Sequence, residues 1–347
     1  MFIAFERSAG EKKDIQIALA DGMVFQVVYH LLSEGGGQDM KFYYPGVVEE
    51  ISYNAGLTWS PDEARFAFMS NGGEGNYDLY LAELGAIGAA RLTTHKEKDG
   101  QAHWSPAGTG IAHTSGRTGK GDIFVVDADT RVLTRLTRGK RQYLYPQWSP
   151  DGTRIAVTGG SNESHDIYLI TDLEKPFESL KALTTWNHDN IRPVWSPDGK
   201  KIAFYSNYNT AGDPKTWCII VVAADGSDPS HGEGLAAKVA ATEVVPDAER
   251  GPAWLPDSSR IVYVKNDRAE YNPLYVLDLR TGVSMPVRTE TKMNHDVSCS
   301  SQGVVAFRAQ VDQWDHIFLM QLKEEGGRGS GDRGQGSGVR DQPGMQR

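Results

Sequence analysis

Short runs in which apolar and polar residues alternate fill most of the chain. One set reads Phe66-Ala67-Phe68, Ile111-Ala112-His113, Ile155-Ala156-Val157, Ile202-Ala203-Phe204, Ile261-Val262-Tyr263 and Val305-Ala306-Phe307. A second set includes Asp78-Leu79-Tyr80-Leu81, Asp122-Ile123-Phe124-Val125, Asp166-Ile167-Tyr168-Leu169 and His316-Ile317-Phe318-Leu319. A third is Arg91-Leu92-Thr93, Arg135-Leu136-Thr137 and Ala182-Leu183-Thr184. A period of two predicts half-buried β-strands. Helical periodicity is nearly absent: only Leu173–Ala182 reads as helical, for a turn or two.

A phrase precedes each strand of the first set. It reads Trp59-Ser60-Pro61-Asp62, Trp104-Ser105-Pro106, Trp148-Ser149-Pro150-Asp151-Gly152, Trp195-Ser196-Pro197-Asp198-Gly199 and Trp254-Leu255-Pro256-Asp257, with a worn copy at Cys299-Ser300-Ser301-Gln302-Gly303. The first residues are spaced 45, 44, 47, 59 and 45 apart, which is an internal repeat. Proline fixes φ at the first turn position, and Asp and Gly tolerate the positions that follow, so the phrase predicts a tight hairpin. The Trp before it supplies apolar bulk for packing between sheets. Four short strands make a sheet that cannot bury both faces alone. Stacking such sheets around an axis buries them, and the prediction is an all-β propeller of four-stranded blades.

The Trp-Ser-Pro-Asp-Gly phrase, followed by an Ile-Ala-Phe strand and an Asp-Ile-Tyr strand, resembles the TolB-like (WD40-like, PD40) propeller family over roughly residues 1–322. Residues 31–50 read as an insertion, and the 59-residue spacing marks another within 206–250. Ile3-Ala4-Phe5 and Asp14-Ile15-Gln16-Ile17 match strands two and three of a further unit, with Val24–Val28 as its fourth. That unit has no inner strand, and the last unit ends at Leu322 with no fourth. The expectation is seven blades, the first and last incomplete, in a chain shortened at its N-terminus. A six-bladed ring closed by residues 1–30 is the alternative. Residues 323–347, rich in Gly, Arg, Asp, Gln and Ser, read as a disordered tail.

Composition narrows function. A net charge of −9 argues against nucleic-acid binding, which needs a basic stripe or patch. No run is long and apolar enough to enter a bilayer, and no signal peptide is evident. Cys218 and Cys299 lie in strand-like runs and read as packed thiols. There is no Gly-x-Ser-x-Gly elbow and no His-Glu-x-x-His. Arg117-Thr118-Gly119-Lys120-Gly121 lies between two strands and reads as a hairpin tip, not a phosphate loop.

Candidate chemistry lies in the loops that lead into the inner strands and surround one channel mouth. Trp186-Asn187-His188-Asp189-Asn190-Ile191-Arg192 echoes Met293-Asn294-His295-Asp296, and other blades add His95, Asp99, His103, Glu249 and Arg250. Three roles are open to these residues. Asp and Asn ahead of a strand often bond backbone in a turn. They also suit recognition of a ligand at the mouth. Oxygen ligands from several blades suit calcium, and the histidines admit a transition metal. Asp78, Asp122 and Asp166 recur at one repeat position and read as structural. Tyr208, Tyr271 and Trp314 are candidates for a binding rim. No catalytic residue is assigned and no cofactor is required. The resemblance implies a monomeric, non-catalytic scaffold that binds a protein or peptide in the periplasm or outside the cell. It also admits a metal-dependent carbohydrate lyase built on His188 and His295, or a module severed from a larger protein.

Overall fold

The computed structural model describes residues 2–9, 12–19, 54–71, 76–83, 89–161, 164–186, 188–208, 217–227, 239–247, 250–266, 272–289, 291–311 and 314–322. Two strands, β1 (Phe2–Ala9) and β2 (Lys12–Leu19), pair as an antiparallel hairpin. The sheets that follow are blades. Blade 1 is β3 (Asn54–Trp59), β4 (Arg65–Ser70), β5 (Asp78–Glu83) and β6 (Ala89–Arg91). Blade 2 is β7 (Asp99–Trp104), β8 (Gly110–Ser115), β9 (Asp122–Asp127) and β10 (Leu133–Arg135). Blade 3 is β11 (Gln142–Trp148), β12 (Ile155–Gly160), β13 (His165–Ile170) and β14 (Leu180–Ala182), with the helix α1 (Pro176–Ser179) before β14. Blade 4 is β15 (Asn190–Trp195), β16 (Lys201–Ser206), β17 (Trp217–Ala223) and β18 (Val239–Val244). Blade 5 is β19 (Ala253–Trp254), β20 (Arg260–Val264), β21 (Leu274–Asp278) and β22 (Val283–Pro286). Blade 6 is β23 (Lys292–Cys299), β24 (Val304–Val311) and β25 (Trp314–Gln321). In every blade consecutive strands are neighbours and antiparallel.

The described residues thus form six blades, the alternative count in place of the expected seven. The reason is local: the strands expected to begin a seventh pair only with each other, as β1 and β2. That hairpin lies with β1 against β25 and β2 against β3, between the last blade and the first. The last blade has three strands, as expected. Val24–Val28, the insertion at 31–50 and the tail at 323–347 lie outside the described residues.

The repeated phrase forms the inner hairpin. Its fifth residue takes a left-handed conformation in each blade: Glu63 (φ 56°), Gly108 (72°), Gly152 (70°), Gly199 (68°), Ser258 (57°) and Gly303 (80°). Glycine suits that position because it has no Cβ to clash. The serine closes the turn: Ser149 Oγ accepts from Arg154 N (2.9 Å), and the Ser149 hydroxyl meets Asp151. The Ser149 hydroxyl, with Thr153 N donating to the same carboxylate (3.0 Å), holds the Asp151 carboxyl down at about 2.

The core lies in the seams between blades. One apolar cluster joins Ala67, Leu79 and Leu92 of blade 1 to Trp104 and Ile111 of blade 2. Another joins Ile167 and Leu169 of blade 3 to Trp195 and Phe204 of blade 4. Three of the Trp indoles also tie their blade to the one before. Trp104 Nε1 donates to Thr58 O (3.1 Å), Trp195 Nε1 to Gln147 O (3.1 Å) and Trp254 Nε1 to Val194 O (3.2 Å).

Asp78 and Asp122 anchor the outer strands. Asp122 accepts from Thr137 Oγ1 (2.7 Å) and pairs with Arg135 (2.7 Å), while Thr137 Oγ1 accepts from Ile123 N (2.8 Å). Asp78 repeats this with Arg91 and Thr93. Asp166 keeps the threonine, as Thr184, where Ala182 replaces the arginine. The third-strand aspartates are therefore structural. Residues 117–121 form a hairpin tip, with Gly119 at φ 81°.

Candidate functional site

The six inner strands and their leading loops enclose an axial cavity of about 370 Å³. Thr58, His103, Tyr145, Trp195, Arg250 and Ser298, one from each blade, help to line it.

Five of these strands carry a β-bulge at one repeat position. In β7 the pairing jumps between Gly100 and His103, and in β3, β11, β15 and β23 at the corresponding place. The first bulged residue stands three before the Trp position and is left-handed throughout: Gly56 (φ 64°), Gln101 (55°), Tyr145 (53°), Arg192 (56°) and Asp296 (52°). Such a conformation is uncommon for residues other than glycine. A bulge re-aims the residue it inserts. Its recurrence makes it part of the architecture; what differs between blades is the side chain displayed.

Three of those side chains form an arc. Gln101 Oε1 accepts from Thr114 Oγ1 (2.7 Å) and Tyr145 N (3.2 Å). The Arg192 guanidinium lies 4.9 Å from the Tyr145 ring centroid, and its Nη2 donates to Tyr145 Oη (3.3 Å). Arg192 Nε is buried without a partner. Nearby, Asp296 pairs with Arg308 (2.6 Å) and, with Asp247, Tyr205 and His295, lines a small side cavity. Burial drives the Tyr205 phenol upward, with Asp247 adding to the effect. Arg250 N donates to Asp247 Oδ1 (2.9 Å).

The expected site residues are not brought to one level. Asp99 is fully buried at the start of β7, bonded to Arg117 (3.0 Å), with His113 Nε2 at 3.9 Å. Asp189 is held by His165 Nδ1 (2.9 Å), and its backbone N–H donates to Asn207 Oδ1 (2.8 Å). Asn190 is buried, donating to Asp166 Oδ1 (3.3 Å) and His188 O (3.4 Å). His188 stands edge-on to Tyr208, ring centroids 5.1 Å apart. His103 Nδ1 accepts from Trp148 N (3.2 Å), and burial lowers its pKa to about 4, so the imidazole is neutral. His95 caps Glu97 N through Nδ1 (3.1 Å). Glu249 and Tyr271 lie outside the described residues, as does the side chain of Trp314.

The echo between Asn187-His188-Asp189 and Asn294-His295-Asp296 is out of register. Asn190 and Asn294 are the equivalent pair, each five before the Trp position and each fully buried. His188 therefore precedes β15, whereas His295 lies within β23. Among the described residues, no three His, Cys, Asp or Glu side chains stand together as a metal would need. Gln101, Tyr145, Tyr205, Asp247 and Arg308 were not anticipated. For the first two, the place three residues before each Trp was the available signal.

A family model described as "TolB beta propeller domain" (PD40) matches residues 46–241, more than half of the chain. No curated protein matches the sequence. Among solved structures, TolB from Acinetobacter baumannii is similar at 20% identity and TM-score 0.57, covering 84% of this chain and 64% of that one. Putative TolB from Agrobacterium tumefaciens is similar at 20% identity and TM-score 0.51, covering 79% of this chain and 92% of that one. An oligogalacturonate lyase from Vibrio parahaemolyticus is similar at 13% identity and TM-score 0.52, covering 91% and 84%. At these identities the structural likeness shows the fold. The chain spans just under two thirds of the Acinetobacter protein.

Proposed function

The chain belongs to the TolB beta propeller (PD40) family, and from that premise we propose that it is a non-catalytic scaffold whose channel mouth binds a protein or peptide segment. The carrying observation is the arc of Gln101, Tyr145 and Arg192, which presents an aromatic ring and a partly unsatisfied guanidinium beside the axial cavity. Aromatic and arginine side chains in such settings are the residue types that dominate protein recognition. The planar guanidinium favours a carboxylate or a main-chain carbonyl in the bound segment. The carboxylates expected at the mouth support the same reading: Asp99, Asp189 and Asp296 each have an internal cationic or histidine partner. We place the protein, as a monomer, in a periplasmic or extracellular setting on the strength of the family.

Panning a random peptide library against the protein tests this reading. Enrichment that is lost in Tyr145→Ala and in Arg250→Ala, with unchanged circular dichroism, is the expected result. Enrichment indifferent to both substitutions would refute a mouth site. Elemental analysis decides against the scaffold if it finds a stoichiometric metal that His188→Ala or His295→Ala removes.

A further inference from the structure

The seam between blades 2 and 3 lacks a side chain that its neighbours supply. Six residues after its Trp, blade 1 carries Arg65, whose guanidinium lies 5.2 Å from the Trp104 ring centroid of blade 2 and donates to Gly108 O (3.1 Å). Arg154 of blade 3 does the same to blade 4, at 4.5 Å from Trp195, donating to Gly199 O (3.4 Å) and Ala224 O (3.1 Å). Lys201 of blade 4 reaches Ser258 O of blade 5 (3.1 Å). In all three seams a cation from one blade meets the left-handed turn residue of the next.

In blade 2 the corresponding residue is Gly110, and Ala107 replaces the aspartate of the phrase. Among the described residues, Trp148 of blade 3 has no such cation, and its Nε1 is buried with no partner, unlike the indoles of Trp104, Trp195 and Trp254. An open cavity of about 590 Å³ lies there, lined by Gly110, Val125, Asp127, Trp148, Gly152 and Leu173 among others, with no Lys or Arg among the described residues of its walls. Val132, on the same rim, is 62% exposed.

We propose that this seam is a docking site for an arginine side chain carried on an extended segment of a partner protein. The guanidinium takes the place that Arg65 and Arg154 fill in their own seams: over the Trp148 ring, in reach of Gly152 O, with Asp127 as the carboxylate of the wall. An apolar neighbour in the segment covers Val132. The net charge of −9 favours the approach of a cationic segment. This site lies at the inner hairpins, away from the bulge arc, and is independent of what the channel mouth binds.

The test is a titration followed through the indole N–H resonances of ¹⁵N-labelled protein, with Trp148→Phe to identify the Trp148 signal. N-acetyl-arginine-N-methylamide should shift that resonance saturably. The citrulline analogue, isosteric but neutral, should bind about tenfold more weakly, a factor between those of an exposed and a desolvated cation–π contact. Gly110→Arg should abolish the response by restoring the missing side chain. A Cβ at Gly110 would meet only the movable Val125 Cγ1 closely, at 3.0 Å. Asp127→Asn gives a second variant that should weaken arginine but not citrulline. A heptapeptide with arginine between valines should bind at least tenfold more tightly than the amide. The proposal is overturned if citrulline equals arginine, or if Gly110→Arg still responds. Equal affinity of amide and heptapeptide would leave only a small free cation. A wild-type dimer in sedimentation that Gly110→Arg dissolves would assign the site to a second copy of the chain.

Discussion

The left-handed fifth residue of each inner hairpin shows how one position sets a local cost. Four of the six blades have glycine there, and Glu63 and Ser258 do not. Ser258 has a compensating bond, its Oγ accepting from Asp198 N (3.0 Å). Glu63→Gly should therefore raise stability by about 0.5–1 kcal/mol in urea unfolding, relief of Cβ strain slightly exceeding the added entropy of the unfolded chain. Ser258→Gly should gain nothing. Titration makes a second case. Burial holds His113 at about 4 against an ordinary 6.5; Arg117 adds to this and Asp99 opposes it. His103 lies at about 4 for the same reason. Both folded values are depressed, so the unfolded state binds more protons between pH 6.5 and 4. The associated stability is fully present above 6.5 and falls away as pH drops through that window, by about 3 kcal/mol per histidine. His113→Gln should remove about half of that pH dependence. The thiols supply a third. Burial pushes Cys218 up to about 12 and Cys299 to about 11, so neither should react readily with a disulfide reagent at pH 8 until the protein unfolds.

At the scale of the element, blades 1 and 2 and blades 3 and 4 are joined by an arginine laid on a tryptophan. Arg154→Ala removes the stacking on Trp195 and two bonds to blade 4, and should cost about 1–3 kcal/mol in unfolding midpoint measurements. Arg280→Ala, which takes an exposed guanidinium away from Asp278, should cost under about 0.5 kcal/mol. The hairpins and the strands beside them were legible in the sequence because Pro, Asp and Gly have few conformational uses, and because alternation marks half-buried strands. The single turn at Pro176–Ser179 was legible too. The bulge was not. No residue type marks it, since Gly, Gln, Tyr, Arg and Asp all occupy its first place. A reading by residue type alone therefore aligned Asn187-His188-Asp189 with Asn294-His295-Asp296, three places out of step. Register against the Trp position corrects this, and shows that the buried asparagines, not the histidines, are the repeated feature.

Across the whole molecule, contacts run mainly between neighbours, because the apolar clusters lie in the seams. Damage in separate seams should then add: Arg65→Ala with Lys201→Ala should lower stability by the sum of the single effects, within about 0.5 kcal/mol in a double-mutant cycle. Hydrogen exchange should be fastest, among strands packed in seams, where blade 2 meets blade 3, because that seam alone faces its tryptophan with a glycine. The blade count was the part of the fold that repeat arithmetic misjudged. Counting strand-like phrases gives seven units, but a blade requires pairing, and β1 and β2 pair only with each other. A core divided among seams also sets what evolution can alter. The aspartate and the cation are absent from blade 2 (Ala107, Gly110) and from blade 6 (Gln302, Val305), while Arg65, Arg154 and Lys201 keep their contacts with the next blade, so the ring tolerates gaps that would ruin a protein with one central core. New binding sites can arise by erosion of a single repeat, one seam at a time, while the remaining repeats preserve the original design.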